Sequence, residues 1–114
     1  MGQPGCSPFP DAIYSRMDLR PHIERIRLRF AEVEAVLAEP QTLSNPTRIQ
    51  ELAREHARLR QLAAEGTAYL KLRDELEASR HLLRTEKEPG LLDLAREETA
   101  RLEPEVERLE RKVQ

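Results

Sequence analysis

Apolar residues recur along this chain at helical spacing, in three separate stretches. In the first, Leu19, Ile23, Ile26, Phe30, Val33 and Leu37 follow one another in steps of 4, 3, 4, 3 and 4. That rhythm places one narrow apolar stripe on one face of a helix, here over about 18–39. The remaining surface carries Glu24, Arg25, Arg27, Glu32 and Glu34. Asp18 is a candidate N-cap, and Pro21 falls in the first turn, where its missing N–H costs least. Pro40 ends the helix, because the residue before a proline avoids the helical region.

The segment from Pro40 to Pro46 reads as a turn by composition. Asn45 followed by Pro46 is a start signal: a capping side chain, then a ring preset for the first helical position. The second helix is predicted over about 46–87. Its early stripe is Ile49, Leu52, His56, Leu59 and Leu62 or Ala63, and its later stripe is Tyr69, Leu72, Leu76, Ser79 and Leu83. The two stripes do not share one register, and the slip falls near Gly66. Either the buried face drifts along a straight helix, as 3.6 residues per turn requires, or the helix bends there. Glu88-Pro89-Gly90 reads as the second turn. A third helix is predicted over about 91–113, with Leu92, Ala95, Thr99, Leu102, Val106, Leu109 and Val113 as its stripe and a kink expected at Pro104. Short turns make neighbouring helices antiparallel. The fold class expected is all-α, an elongated antiparallel helical hairpin or three-helix coiled-coil-like bundle. Among exposed i,i+4 pairs, Glu51–Glu55 works against the helix and Glu97–Arg101 for it.

Residues 1–16 differ from everything after them. Pro4, Pro8, Pro10, Gly2 and Gly5 leave no helical pattern, so this stretch is expected to be a disordered leader or a remnant of cloning. With 114 residues there is room for one small domain. Charged residues make up 35% and aromatic residues 4%, which suits narrow seams between helices rather than a thick core.

Composition also narrows function. A net charge of -2 lacks the basic excess of a dedicated nucleic-acid binder. Cys6 is the only cysteine, so neither an internal disulfide nor a thiolate metal site can form, and a cytoplasmic setting is expected. No apolar run approaches the roughly 20 residues of a membrane span, and residues 1–16 do not have the layout of a secretory signal. His22, His56 and His81 form no metal-binding pair. His56 sits on the predicted seam and reads as a packed, hydrogen-bonded core residue, while His22 and His81 read as surface. Carboxylate pairs such as Glu97–Glu98 and Glu86–Glu88 read as solvated faces, because acid–base chemistry needs a partly dry pocket. The glycines form no phosphate loop, and Cys6 lacks a setting that would activate it. No catalytic, cofactor-binding or metal-binding residue is expected. Arginine outnumbers lysine sixteen to three. The groups Arg25, Arg27, Arg29 and Arg54, Arg58, Arg60 are candidates for touching RNA phosphates or acidic protein surfaces, against the plainer reading of pairing with glutamate.

Several segments, in order, resemble the N-terminal domain of bacterial peptide chain release factors of the release factor 1 type. They are Phe30-Ala31-Glu32-Val33-Glu34-Ala35-Val36-Leu37, the turn Leu43-Ser44-Asn45-Pro46-Thr47-Arg48, and Glu51-Leu52-Ala53-Arg54-Glu55-His56-Ala57-Arg58-Leu59. Tyr69, Leu72, Glu75-Leu76-Glu77-Ala78 and the pair Leu82-Leu83 continue the likeness, which covers about Met17 to Gln114. The lack of Trp separates it from the release factor 2 pattern. Pro104 and the Pro-rich leader depart from the family. The resemblance implies a non-enzymatic ribosome-docking domain in translation termination, facing the stalk base of the large subunit and joined to the remaining domains of a parent factor. Neither the family's Gly-Gly-Gln loop nor its stop-codon-reading tripeptide occurs here. The other reading is a free-standing coiled-coil adaptor that self-associates through Leu28, Val36, Leu91 and Leu94. No membrane contact is expected.

Overall fold

A computed structural model of the chain describes residues 18–114, which form four helices. These are α1 (Arg20–Leu37), α2 (Pro40–Leu43), α3 (Pro46–Thr85) and α4 (Pro89–Val113), with no strand among the described residues. The expected leader, residues 1–16, lies outside them. The class is the predicted one: an elongated, all-helical antiparallel bundle, 65 × 39 × 17 Å.

Prolines set most of the boundaries, and they correct the sequence reading by a residue or two. α1 starts at Arg20 with Leu19 rather than Asp18 at the N-cap, and no side chain caps it there. Asp18 still serves the first turn, because its Oδ1 accepts the Arg20 N–H at 3.0 Å. Glu39 is extended ahead of Pro40 (φ -76°, ψ 135°), as pre-proline geometry demands, so α1 ends at Leu37 and not Glu39. The stretch expected to be a plain turn contains the single helical turn α2, begun by Pro40 and closed where Ser44 Oγ donates to the Gln41 carbonyl at 2.8 Å. Thr42 is buried there against α3. Asn45 caps α3 as predicted: its side chain accepts the Arg48 N–H at 3.1 Å, with Pro46 in the first turn.

α3 ends at Thr85 and not Lys87, and α4 starts at Pro89 and not Leu91. The reason is local. Glu88 is extended before Pro89, and its side chain accepts the Leu91 N–H at 3.0 Å, so it is an N-cap. Pro89 and Gly90 belong to the first helical turn rather than to the connection. α4 stays one helix through Pro104, which is exposed.

α3 is 40 residues long, roughly 60 Å at 1.5 Å per residue, and it organises the rest. α1 runs antiparallel along its first half, so Arg29 meets Glu55 while Arg20 meets Asp74. α4 runs antiparallel along its second half, so Arg80 meets Glu103 and Lys112 meets Glu65. α1 contributes Ile23, Ile26 and Val33, and α4 contributes Leu102, Val106, Leu109 and Val113, to one core in which α3 supplies Leu52, Leu59, Tyr69 and Leu76. The drift of the apolar stripe along α3 is therefore a change of partner. A 17 Å short axis is little more than one helix diameter of 10–12 Å. The helices thus lie almost in one flat layer with α3 in the middle.

The two halves overlap only around residues 65–74 of α3. Gly66 is buried there, and a Cβ on it would lie 2.9 Å from Ile23 Cγ2. The glycine lets Ile23 of α1 pack close against the α3 backbone, and α3 continues through it. In the same region His22 Nε2 donates to the carbonyl oxygen of Val113 at 2.8 Å, joining the start of α1 to the end of α4. His22 is half-buried, so its reading as a surface residue is corrected; a bond across 91 positions leaves no local trace.

Candidate interaction surfaces

Most side chains flagged as possible chemistry serve the fold. His56 lies at the edge of the α1–α3 seam, with its ring stacked on Phe30 at 4.7 Å between centroids and its Nε2 3.1 Å from Glu34 Oε2. It is packed and hydrogen-bonded, as expected, though part of it reaches solvent. His81 is exposed. Glu88 is spent on its N-cap, and Glu86 Oε2 accepts from the backbone N–H groups of Lys87 and Glu88 at 3.3 Å. Cys6 lies outside the described residues. Among the described residues, no three His, Cys, Asp or Glu side chains come together in a way that could hold a metal ion. No helix there is long and apolar enough to cross a membrane.

The expected intrahelical pairings are partly different. Arg101 grips Glu98 at i,i+3 through two bonds of 2.7 and 2.9 Å, rather than Glu97 at i,i+4. Glu55 is held by Arg29 across the α1–α3 seam, in a fork of 2.7 and 3.0 Å, so its proximity to Glu51 in sequence is not what governs it. Hydrogen bonding to these guanidinium groups, with Arg108 beside Glu105, holds the carboxyls of Glu55, Glu98 and Glu105 below their ordinary value. The same bonds raise the three arginines, which stay charged at any working pH.

Of the six arginines singled out from sequence, two are thereby accounted for structurally. Arg29 binds Glu55 and Glu32, and Arg27 reaches Thr67 Oγ1 at 2.8 Å with Glu24 beside it. Arg25, Arg54, Arg58 and Arg60 are exposed, and each lacks an ion pair among the described residues. Arg54 and Arg58 stand one turn apart on α3, on the half that α4 does not reach, and so present two guanidinium groups side by side. Between α3 and α4, Tyr69, Leu76, Val106, Glu77, Glu103 and Glu107 line a crevice of about 140 Å³. It falls short of the roughly 300–1,000 Å³ of small-molecule sites, and the Arg80–Glu103 pair at 2.7 Å closes one side of it.

The far end of the α3–α4 hairpin has a different character. Small side chains occupy its seam: Ser79 and Ala95 are buried, and the hydroxyl of Thr99 is buried with no hydrogen-bond partner among the described residues. Beside this narrow seam a groove of about 520 Å³ is floored by Leu82, Leu91, Leu94 and Ala95. Leu82 is 43%, Leu91 47% and Leu94 60% exposed. Glu86 and Glu97 stand at its rim, with the Glu98–Arg101 pair.

A family model described as the PCRF domain matches residues 26–114. The chain belongs to the PCRF domain family. It is similar to "Peptide chain release factor 1" of Pelobacter propionicus, 38% identical over 92 residues that make up 81% of this chain and 25% of that protein. It is also similar to the protein of the same name from Anaeromyxobacter dehalogenans, 37% identical over 79% of this chain and 24% of that protein. The corresponding protein of Geobacter sulfurreducens is 35% identical over 77% of this chain. The chain thus spans about a quarter of the length of the curated relatives it matches. No solved structure matches.

The PCRF match takes in α2, α3, α4 and most of α1, and so includes both candidate surfaces. The arginine pair on α3 was visible in the sequence of this PCRF domain. The groove was not, although Leu91 and Leu94 stood out as leucines off the stripe. Leu82 joins them because α3 has turned by that point, and Val36, expected to be exposed with them, is partly buried against the core.

Proposed function

We propose that residues 17–114 are the N-terminal ribosome-docking domain of a peptide chain release factor acting in translation termination. The observation that carries this is the PCRF match over 26–114, together with relatives named "Peptide chain release factor 1". The role is one of seating, not of chemistry. The 114 residues contain no Gly-Gly-Gln sequence, and Glu55, Glu98 and Glu105 are each drawn into a pair with arginine. Its partners are the stalk base of the large ribosomal subunit and the remaining domains of a parent factor, in the cytoplasm. A thin rod with little to rearrange suits such a task, since preformed surfaces lose less entropy on binding. Arg54 and Arg58 are the side chains we place against ribosomal phosphate, because they are exposed and form no ion pair among the described residues.

A cell-free termination assay tests this reading. The chain added in excess should compete with full-length release factor 1, raising its apparent KM with kcat unchanged, and should release no peptide by itself. Arg54→Glu with Arg58→Glu should weaken the competition. Absence of competition at any excess, or peptide release by the chain alone, would overturn the proposal.

A further inference from the structure

We infer that the groove at the tip of the α3–α4 hairpin is a docking site for a basic amphipathic helix of a protein partner. The reading is independent of ribosome docking, which is placed on the arginine half of α3.

Three observations converge on it. First, the floor is apolar and unclosed. Leu82, Leu91 and Leu94 are all more than two-fifths exposed, and they meet in one groove of about 520 Å³ rather than being scattered. Elsewhere along the flat layer each apolar stripe has a helix against it; here α1 is out of reach, because it covers the other half of α3. Second, the groove has helical dimensions. Leu91, Leu94 and Ala95 stand at i, i+3 and i+4 on α4, opposite Leu82 on α3, a surface that takes aliphatic anchors spaced by one helical turn.

Third, the rim is acidic. Glu86 and Glu97 flank the leucines, and the only cation among the described residues lining the groove, Arg101, is bonded to Glu98 at 2.7 Å. The charge chooses among occupants. Phosphate-rich nucleic acid is repelled by carboxylates, and a second copy of this chain would bring two acidic rims together. A helix with leucine-like side chains on one face and Lys or Arg at its edges satisfies both floor and rim.

The probe is a synthetic amphipathic helical peptide with leucine on one face and lysine on the other, titrated into the full chain and followed by methyl-resolved NMR. Expected are saturable shifts at the methyl groups of Leu82, Leu91 and Leu94, and an affinity that falls as salt rises. Leu91→Ser with Leu94→Ser should weaken binding about tenfold or more, since two apolar anchors lose their burial. Both leucines are exposed, so the variant keeps its helical circular dichroism; it is the companion variant Glu86→Lys with Glu97→Lys that tests the rim. That variant should lose the lysine peptide and gain one with glutamate in place of lysine. The inference is overturned if the glutamate peptide binds the natural chain equally well, if the leucine variant binds undiminished, or if sedimentation shows the chain dimerising through these leucines.

Discussion

Replacing Gly66 by alanine is a sharp probe of how α1 sits on α3. In a free helix this change should stabilise, because glycine costs about 1 kcal/mol relative to alanine in a helix interior. Here the added Cβ would meet Ile23 at 2.9 Å from Cγ2 and 3.1 Å from Cγ1. Ile23 cannot easily yield. It is 1% exposed, and its β-branch is stiff about χ1. α1 must move away or Ile23 must leave its rotamer, at an overpacking cost of roughly 1–3 kcal/mol. Set against the helix gain, Gly66→Ala is expected to destabilise by about 1 kcal/mol. The sign should reverse in an Ile23→Ala background. That change alone costs about 2–5 kcal/mol, but it removes both clashing atoms, so adding Gly66→Ala then stabilises by about 1 kcal/mol. Urea unfolding followed by circular dichroism, with a double-mutant cycle, reads out both signs. A stabilisation of about 1 kcal/mol by Gly66→Ala in the natural background would refute the close approach.

Pro104→Ala should stabilise, by at most about 3 kcal/mol, since the ring is exposed in mid-helix and withholds the bond to the Ala100 carbonyl; thermal unfolding checks it, and a lowered Tm would contradict it. Acid should weaken the fold. The carboxyls of Glu55, Glu98 and Glu105 are held lower in the folded chain than the ordinary 4.5. Their contribution is therefore complete above that value and fades as pH falls through the depressed range. Urea midpoints should be level between pH 6 and 8 and drop towards pH 3, and Glu55→Gln should shrink the drop; a loss of stability centred near neutral pH would count against these pairs.

The sequence made the helices legible because each stripe is written in consecutive turns. Ile23, Ile26 and Val33, or Leu102, Val106, Leu109 and Val113, need no knowledge of their partner to be recognised as a face. Asn45-Pro46 was readable for the same reason, since a cap bonds within three residues. What stayed hidden is whatever depends on distant neighbours. Gly66 marked only a slip of register or a bend until Ile23 was placed against it. His22 looked like a surface residue because Val113 lies 91 positions away. Glu55 seemed opposed to Glu51, but Arg29 from another helix claims it. The two boundaries at Glu88-Pro89 were misjudged because a proline after an acidic residue can close a turn or open a helix. Only the bond from Leu91 N–H to Glu88 tells which. The arginine pair on α3 could be named in advance as a candidate surface, whereas the tip groove depends on how far α3 has rotated by Leu82.

Docking on the large ribosomal subunit is the claim on which the functional reading stands. Co-sedimentation of the whole chain with purified large and small subunits tests it most directly. The chain should pellet with the large subunit, be displaced by full-length release factor 1, and stay in the supernatant with the small one. A chain that ignores both subunits, or that binds both alike and resists displacement, would contradict it.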